Sequence, residues 1–392
     1  MTGGEAAGHP EARSAEGSAR QAPPPGSFFA QDDFTHRDLL HSLSFRGFRN
    51  LIDASWAPGP GRHLLVGDNG SGKTSLLEAV YAVATTRSFR TAQLSDCARH
   101  GEGGFHLAGE TAGAEPARLE VGWAPEGIFR AVNGRTPALA EHLAVLPVLA
   151  WTAADGELLT GGPELRRRFL DRGLVASRPA ALGALQRYRR ALFQKRTVLV
   201  RRERGLEAWN DLLAEAAAEV AALRAACVAA LARSFAGLVE RAALPFADLT
   251  VEYLPSPREA LAGRETILRR LEAVRGAEER RRLPLLGPHR DELELRWRGR
   301  ELRRTASAGE RKSLGLALVA AQAQVLEETR RAPPVLLLDD ADAELDRGAL
   351  ARIWKAFDGA PQLVASSNRA EVWDGLELDR RSRLAGGAIA PL

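Results

Sequence analysis

From His41 onward the chain alternates between two hydrophobic periods. Leu43, Phe45, Phe48 and Leu51 are spaced for a strand and a turn, and Leu64-Leu65-Val66 is a short apolar run that enters a glycine-rich turn. Leu76, Leu77, Val80 and Tyr81 then recur at helical spacing. Between about residues 103 and 151 apolar positions alternate, with Asn133-Gly134 as a hairpin signal. From Pro163 to about Ala243 the pattern turns helical, rich in Leu, Ala and Arg, with breaks near Ser177-Arg178-Pro179 and at Gly205. After Pro284 the strand-and-helix style returns. Val335-Leu336-Leu337-Leu338 is apolar at every position, so it suits a strand with no exposed face, and Gln362-Leu363-Val364-Ala365 reads as another. Residues 1 to about 37, rich in Gly, Ala, Pro, Ser and Glu, have no apolar period and read as a disordered extension. No internal repeat is visible. The expectation is an α/β fold in two sequence halves, 38–162 and 284–392, with a helical lobe, 163–283, inserted between them.

Composition narrows the class. The chain has 392 residues, 45% hydrophobic and 27% charged, which is ample apolar material for a core. No stretch approaches the roughly 20 uncharged apolar residues of a membrane span. The N-terminus carries Glu5, Glu11 and Glu16 without an apolar core, so neither a secretion signal nor a membrane partner is expected. Cys97 and Cys227 read as reduced, buried residues of a cytoplasmic protein. Net charge is +4, and only Lys73, Lys195, Lys312 and Lys355 are lysines, the other basic residues being arginines. The codon bias of a GC-rich genome accounts for that preference. It also makes a lysine inside a motif more telling.

Lys73 stands in such a motif. Gly67-Asp68-Asn69-Gly70-Ser71-Gly72-Lys73-Thr74 fits G-x-x-x-x-G-K-[ST] in full, between a predicted strand and a predicted helix. Glycines let the backbone wrap phosphate with N–H groups inward, and the helix N-terminus adds positive potential. ATP is the expected ligand: Lys73 would neutralise the β- and γ-phosphates, and the Thr74 hydroxyl would ligate Mg²⁺. The Val335–Leu338 strand ends in Asp339-Asp340, the Walker B pattern. Asp339 would hold Mg²⁺, and Asp340 would act as general base on the attacking water. Ser307-Ala308-Gly309-Glu310, followed by Leu314, Leu316, Ala317 and Leu318, matches the S-x-G-[QE] signature of ABC-type ATPases, whose helix faces the γ-phosphate held by a second subunit. The same four residues are also a plain capping box. Ala343-Glu344-Leu345-Asp346 fits the loop that reaches across such a dimer, or an N-cap region for the next helix. Transporter ATPases place these motifs nearer together. Wide separation is characteristic of DNA-repair and chromosome-organising heads.

Several further blocks occur in the order seen in the RecF family, which the chain resembles from about Leu43 to Asn368. They are Phe45-Arg46-Gly47-Phe48-Arg49-Asn50; Ser75-Leu76-Leu77-Glu78-Ala79 continuing the phosphate loop; Thr86-Arg87-Ser88-Phe89-Arg90-Thr91; Arg166-Arg167-Arg168-Phe169-Leu170-Asp171 after Pro163; and Gly287-Pro288-His289-Arg290-Asp291. The resemblance implies an ABC-type head with ATP at Gly67 to Ser75, and an ATP-dependent homodimer closed by Ser307 to Glu310 in trans. It further implies binding to single-strand/double-strand DNA junctions, recombinase loading at gaps, slow hydrolysis, and RecR, RecO and RecA as partners in the pathway. Glu310 stands where the family usually has Gln, and Ala153-Ala154 where Pro-Glu is commoner. Ser366 and Ser367 stand where a switch histidine is sought, and Gln93 is the candidate for the Q-loop.

Arginines concentrate in the insertion: Arg166 to Arg168, Arg187, Arg189, Arg190, Arg196, Arg201, Arg202 and Arg204, with Lys195 among them and Arg280-Arg281-Arg282 beyond. They could track phosphates without reading bases, or form solvated faces paired with glutamates. His289 and Arg290 are expected to support structure or site. Two other readings stay open. One is a related ABC-type ATPase of phage defence. The other is a non-enzymatic junction binder that uses ATP only as a clamp, against which the intact Asp339-Asp340 pair argues.

Overall fold

The computed structural model describes residues 1–2, 39–113, 115–302 and 306–392. The expected extension falls almost wholly outside them. A six-stranded sheet forms the centre, built from β3 (Gly61–Val66), β7 (Val148–Trp151), β11 (Val335–Leu338), β12 (Gln362–Ser367), β13 (Arg380–Ala385) and β14 (Ala388–Pro391). Its order is β14-β13-β3-β12-β11-β7, all parallel except for the antiparallel edge strand β14. A five-stranded antiparallel sheet lies beside it: β1 (Leu39–Arg46), β2 (Ala54–Trp56), β4 (Phe105–Ala112), β5 (Arg118–Ala124) and β6 (Gly127–Val132), in the order β2-β1-β4-β5-β6. The antiparallel β4, β5 and β6 bear out the alternation read from 103 to 151, although β5 and β6 turn at Pro125-Glu126 and Asn133-Gly134 closes only the single bridge of Val132 with Arg135.

The all-apolar strands are explained by their two neighbours. Leu65 and Leu337 point into a core shared with α1 (Lys73–Thr85) and the five-stranded sheet. Leu64, Leu336 and Leu338 point into the opposite core, with α3 (Pro163–Ser177) and α7 (Ala308–Arg330). Successive strand residues face opposite ways, so a sheet covered on both sides must be apolar at every position.

The inserted segment carries α3, α4 (Ala181–Arg201), α5 (Leu206–Arg241) and α6 (Arg264–Arg281). Helix breaks fall at Arg178-Pro179 and Gly205, as read. It is not wholly helical. β8 (Leu249–Leu254) lies within it and pairs antiparallel with β9 (Glu292–Trp297), and β10 (Arg300–Glu301) extends that small sheet. Packing also does not divide at residue 163. The first half of α5, through Leu213, Val220 and Ala221, shares a separate core with α4 and α6. Its second half, through Val228, Leu231, Phe235 and Leu238, enters the core under the central sheet. The 36-residue α5 is long and apolar enough to match a membrane span by composition. Its Glu215, Glu219 and Arg224 interrupt the run, and its apolar positions fill these two cores.

Candidate nucleotide site

β3 delivers the chain to the phosphate loop at the C-terminal edge of the sheet, and α1 starts from it at Lys73. Gly72, at the N-cap, has φ 114°, a conformation that a side chain would strain. A Cβ on Gly67 would fall 2.3 Å from the Leu384 carbonyl oxygen, so the turn is closed to larger residues. Asn50 braces the loop from outside. Its amide donates to Gly70 O at 2.7 Å, and its side-chain oxygen accepts from the Ser75 hydroxyl at 2.8 Å. The Lys73 ammonium curls over the loop and donates to Gly67 O at 2.7 Å and Asp68 O at 3.0 Å. The Ser71 hydroxyl is buried without a protein partner, and the first N–H groups of α1 have no intrahelical acceptor. Such a concave set of donors suits an oligophosphate.

β11 ends at the same edge. The Thr74 hydroxyl donates to both Asp339 oxygens, at 2.9 and 3.0 Å, and the Ser366 hydroxyl at the end of β12 donates to Asp339 Oδ1 at 2.7 Å. Burial pushes the Asp339 carboxyl up from its ordinary range, with the two hydroxyls opposing the shift. One carboxylate and one hydroxyl form the partial donor set that magnesium takes alongside phosphate oxygens. Among the described residues there is no cluster of three or more His, Cys, Asp or Glu that would hold a metal alone. Asp340 is exposed and has φ 45°. Its N–H donates to Ser366 Oγ at 2.9 Å, so Ser366 touches both Walker B residues. Asp342 is buried and accepts from Arg369 Nε at 3.0 Å. Asn368 reaches Asn69 of the phosphate loop at 3.2 Å.

The N-terminus of α7 holds the signature residues at the surface. Ser307 accepts from the Glu310 N–H at 3.3 Å, while Glu310 Oε2 accepts from the Ser307 N–H and hydroxyl, each at 2.8 Å. The capping box is therefore formed, and it does not conflict with the signature reading: it fixes a helix start whose Ser307 and Ala308 remain exposed. These hydrogen bonds hold the Glu310 carboxyl below its usual range. A Cβ on Gly309 would meet the Glu344 carbonyl oxygen at 3.0 Å, so the signature turn lies against the Ala343–Asp346 loop. The Asp346 side chain caps α8 (Arg347–Trp354), as its second reading required.

The chain matches curated proteins named DNA replication and repair protein RecF. One, from Moorella thermoacetica, is 31% identical over 370 residues, covering 89% of this chain and 98% of the relative. Another, from Anaeromyxobacter sp., is 36% identical over 316 residues, covering 78% and 86%. The chain belongs to the RecF family. No family model matches it. Among solved structures, that of the recombination mediator protein RecF-ATP in the RecFOR pathway aligns with TM-score 0.80 and 25% identity, over 93% of this chain and 100% of that one. An Smc head bound to the C-winged helix domain of ScpA aligns with TM-score 0.53 at 16% identity, covering 90% and 96%, a likeness of fold. The fold is that of the ABC-type ATPase heads.

The RecF blocks beyond the phosphate loop turn out to be joints. Glu78, fully buried on α1, takes two hydrogen bonds from Arg49, at 2.9 and 2.7 Å, with Ser88 and Arg90 also on its oxygens and the Cys97 thiol beside it. That one carboxylate ties the first block to the Ser88-Phe89-Arg90 segment. Asp171 and Asp291 meet on Arg224 of α5, whose side chain is 5% exposed. His289 is neutral in place. Its Nδ1 accepts from the Tyr188 hydroxyl at 2.6 Å, and burial lowers its pKa to about 4. It supports structure, as expected, whereas Arg290 is exposed.

Much of the basic insertion is engaged within the chain. Arg166 pairs with Glu292 at 2.7 Å, Arg167 donates to Asp291 O at 2.8 Å, Arg187 pairs with Glu219 at 2.6 Å, and Arg168 pairs with Glu164. Arg189 lies 3.7 Å from Asp171, and Arg201 3.6 Å from Glu203. Lys195 is withdrawn from any surface role: it is fully buried, 2.7 Å from the equally buried Glu278. Arg190, Arg196, Arg202 and Arg204 are exposed and pair with no carboxylate among the described residues. Gln93 is exposed on the loop after the Ser88-Phe89-Arg90 segment. Cys97 is buried and Cys227 half-buried, both free thiols pushed up to about 11 by burial.

Proposed function

We propose that this chain is a slow, DNA-dependent ATPase that clamps DNA as an ATP-bound homodimer in recombinational gap repair. In sequence the head comprises 38–162 and 284–392, with α3 and the second half of α5 packed into its core, and the rest of the inserted lobe offers DNA contacts. The observation that carries the reading is the meeting of Thr74 and Asp339 at the mouth of the phosphate loop. These residues are 265 positions apart in sequence and form half of a magnesium–nucleotide site. In this reading Lys73 exchanges the Gly67 and Asp68 carbonyls for the β- and γ-phosphates. The Ser71 hydroxyl and the N–H groups of Gly70 to Thr74 take the remaining oxygens. Thr74 and Asp339 are the residues that would hold Mg²⁺, which would supply positive charge against the phosphate oxygens. Asp340, exposed and without a side-chain hydrogen bond among the described residues, accepts the proton of the water that attacks the γ-phosphorus, and ADP leaves with the bond's electron pair. The partner subunit's Ser307 and Gly309 close over the γ-phosphate, so two sites form per dimer.

DNA contact falls to Arg190, Arg196, Arg202 and Arg204, which keep their charge free for phosphate, and to Arg280, Arg281 and Arg282. None of these presents a base-reading arrangement, so recognition rests on backbone and shape at single-strand/double-strand junctions. RecR is the proposed direct partner, with RecO and RecA in the same pathway; the RecFOR pathway named for the aligned structure supports the first two, and the family resemblance alone carries RecA. The test is light scattering with ATP, with ADP and without nucleotide, on wild type and Ser307→Arg. A dimer confined to ATP and lost in the variant supports the composite site. A monomer in every state, with DNA present or absent, would sink it.

A further inference from the structure

Lys312 belongs to no role assigned above, yet it sits where the two halves of a composite site would have to communicate. It lies on the second turn of α7, two residues beyond the signature. Its ammonium donates to the Asp340 carbonyl oxygen at 2.9 Å. It also lies 5.4 Å from the centre of the Trp151 ring, within cation–π range. Trp151 is fully buried at the end of β7, whose register places it directly beside Leu338, the residue before Asp339. The ring is held against α7 closely enough that a Cβ on Gly315 would overlap it, at 2.0 Å. One cation thus rests on a rigid aromatic face and grips the backbone of the candidate base.

That backbone needs gripping. Asp340 adopts φ 45°, a left-handed conformation that non-glycine residues enter at a cost. Its N–H is taken by Ser366 and its C=O by Lys312, with the Ala343 N–H of the same turn also on that oxygen at 3.1 Å. The first anchor belongs to β12 and the central sheet, the second to the signature helix. The Asp340, Glu344, Asp339 and Asp342 carboxylates all act electrostatically on the same ammonium, so its charge also screens a strongly acidic corner.

We propose that Lys312 is a positioning residue that holds Asp340 ready for proton abstraction, and thereby couples engagement of the signature helix to hydrolysis at the subunit's own site. A shift of α7 when Ser307 meets the partner's nucleotide is transmitted through the Lys312 ammonium to the Asp340 carbonyl, and through it to the angle of the Asp340 carboxylate. The inference rests on the ATPase reading.

The experiment compares wild type, Lys312→Met and Lys312→Arg in the full chain. It measures binding of a fluorescent ATP analogue, ATP-driven dimerisation, thermal unfolding, and DNA-stimulated turnover at saturating ATP. Met keeps an apolar stem against Trp151 and removes the charge. Lys312→Met is expected to bind nucleotide and to dimerise within about twofold of wild type, to unfold at the same temperature, and to lose at least about tenfold in kcat with little change in KM. Lys312→Arg is expected to recover most of that loss. Wild-type kcat in the Met variant overturns the proposal. So does parallel loss of stability, binding and turnover unrelieved by Arg, since that marks a purely structural residue. Absence of turnover in wild type strikes the ATPase reading itself and is distinguishable from both.

Discussion

Arg224→Met offers a demanding test of how the lobe is fastened. The Arg224 guanidinium donates Nε to Asp171 at 3.0 Å, Nη2 to Asp171 at 3.1 Å, and Nη1 to both Asp291 at 2.8 Å and Pro288 O at 2.7 Å. The carboxylates are 13% and 2% exposed, so neither can be rehydrated without moving backbone. Methionine is of similar length but takes the guanidinium from both carboxylates, leaving Asp171 only the exposed Arg189 at 3.7 Å, and removing one partner of such a buried arrangement costs about 3–5 kcal/mol. Asp291 retains the Tyr253 hydroxyl and the Ser256 N–H, which places the expected loss near the lower figure. Against a typical total of about 5–15 kcal/mol, that loss is large. Urea unfolding followed by tryptophan fluorescence reads it directly. A cycle with Asp171→Asn should recover part of the loss, because the pair is coupled through two hydrogen bonds. A midpoint shift equivalent to less than about 1 kcal/mol in the single variant, or strict additivity in the double, would refute the argument that this buried arginine fastens the lobe.

Asp340→Asn should bind ATP and dimerise normally while hydrolysing at least a hundredfold more slowly, so sizing would show a long-lived dimer; hydrolysis at the wild-type rate would exclude Asp340 as the base. Lys73→Ala should abolish ATP-driven dimerisation, a loss visible by light scattering as monomer in saturating ATP. The pH dependence of stability follows from histidines that burial keeps neutral: His63 and His289 are lowered to about 4, and His142 is lowered as well. Their unfolded forms protonate first, so the stability they contribute is full above about pH 6.5 and is lost as pH falls from there towards 4. For the nearly inaccessible His63 this is on the order of 3 kcal/mol, and His63→Gln should flatten the curve of urea midpoint against pH between 7 and 5. Gly315→Ala sets overpacking against Trp151, at about 1–3 kcal/mol, against a helix-propensity gain of about 1. A net loss is expected in urea unfolding, and a stabilised variant would mean that the ring has room to move.

The sequence by itself determined what is local. The phosphate loop, the carboxylates closing an apolar strand and the serine-capped helix were legible because each is a short run whose chemistry and period lie in adjacent residues. The same holds for the helix breaks at Arg178-Pro179 and Gly205, and for the two-sided strands at Leu64 to Val66 and Val335 to Leu338. Only the tertiary structure decided which distant residues meet. Nothing in the period of α4 distinguishes Lys195, sealed against Glu278, from the exposed Arg196 beside it. Nor does sequence spacing reveal that Asp171 and Asp291 share one arginine on α5, that β8 leaves the helical segment to pair with β9, or that α5 divides between two cores. Asn50 and Lys312 escaped a functional reading, and Ser366 was legible only as standing where a switch histidine is sought, for the same reason: each acts through a partner 20 to 28 residues away. Spacing along the chain fixes which way a side chain faces within its own element. Whether it meets water, a carboxylate or a backbone carbonyl is fixed by how the chain returns, and that is a property of the packed fold.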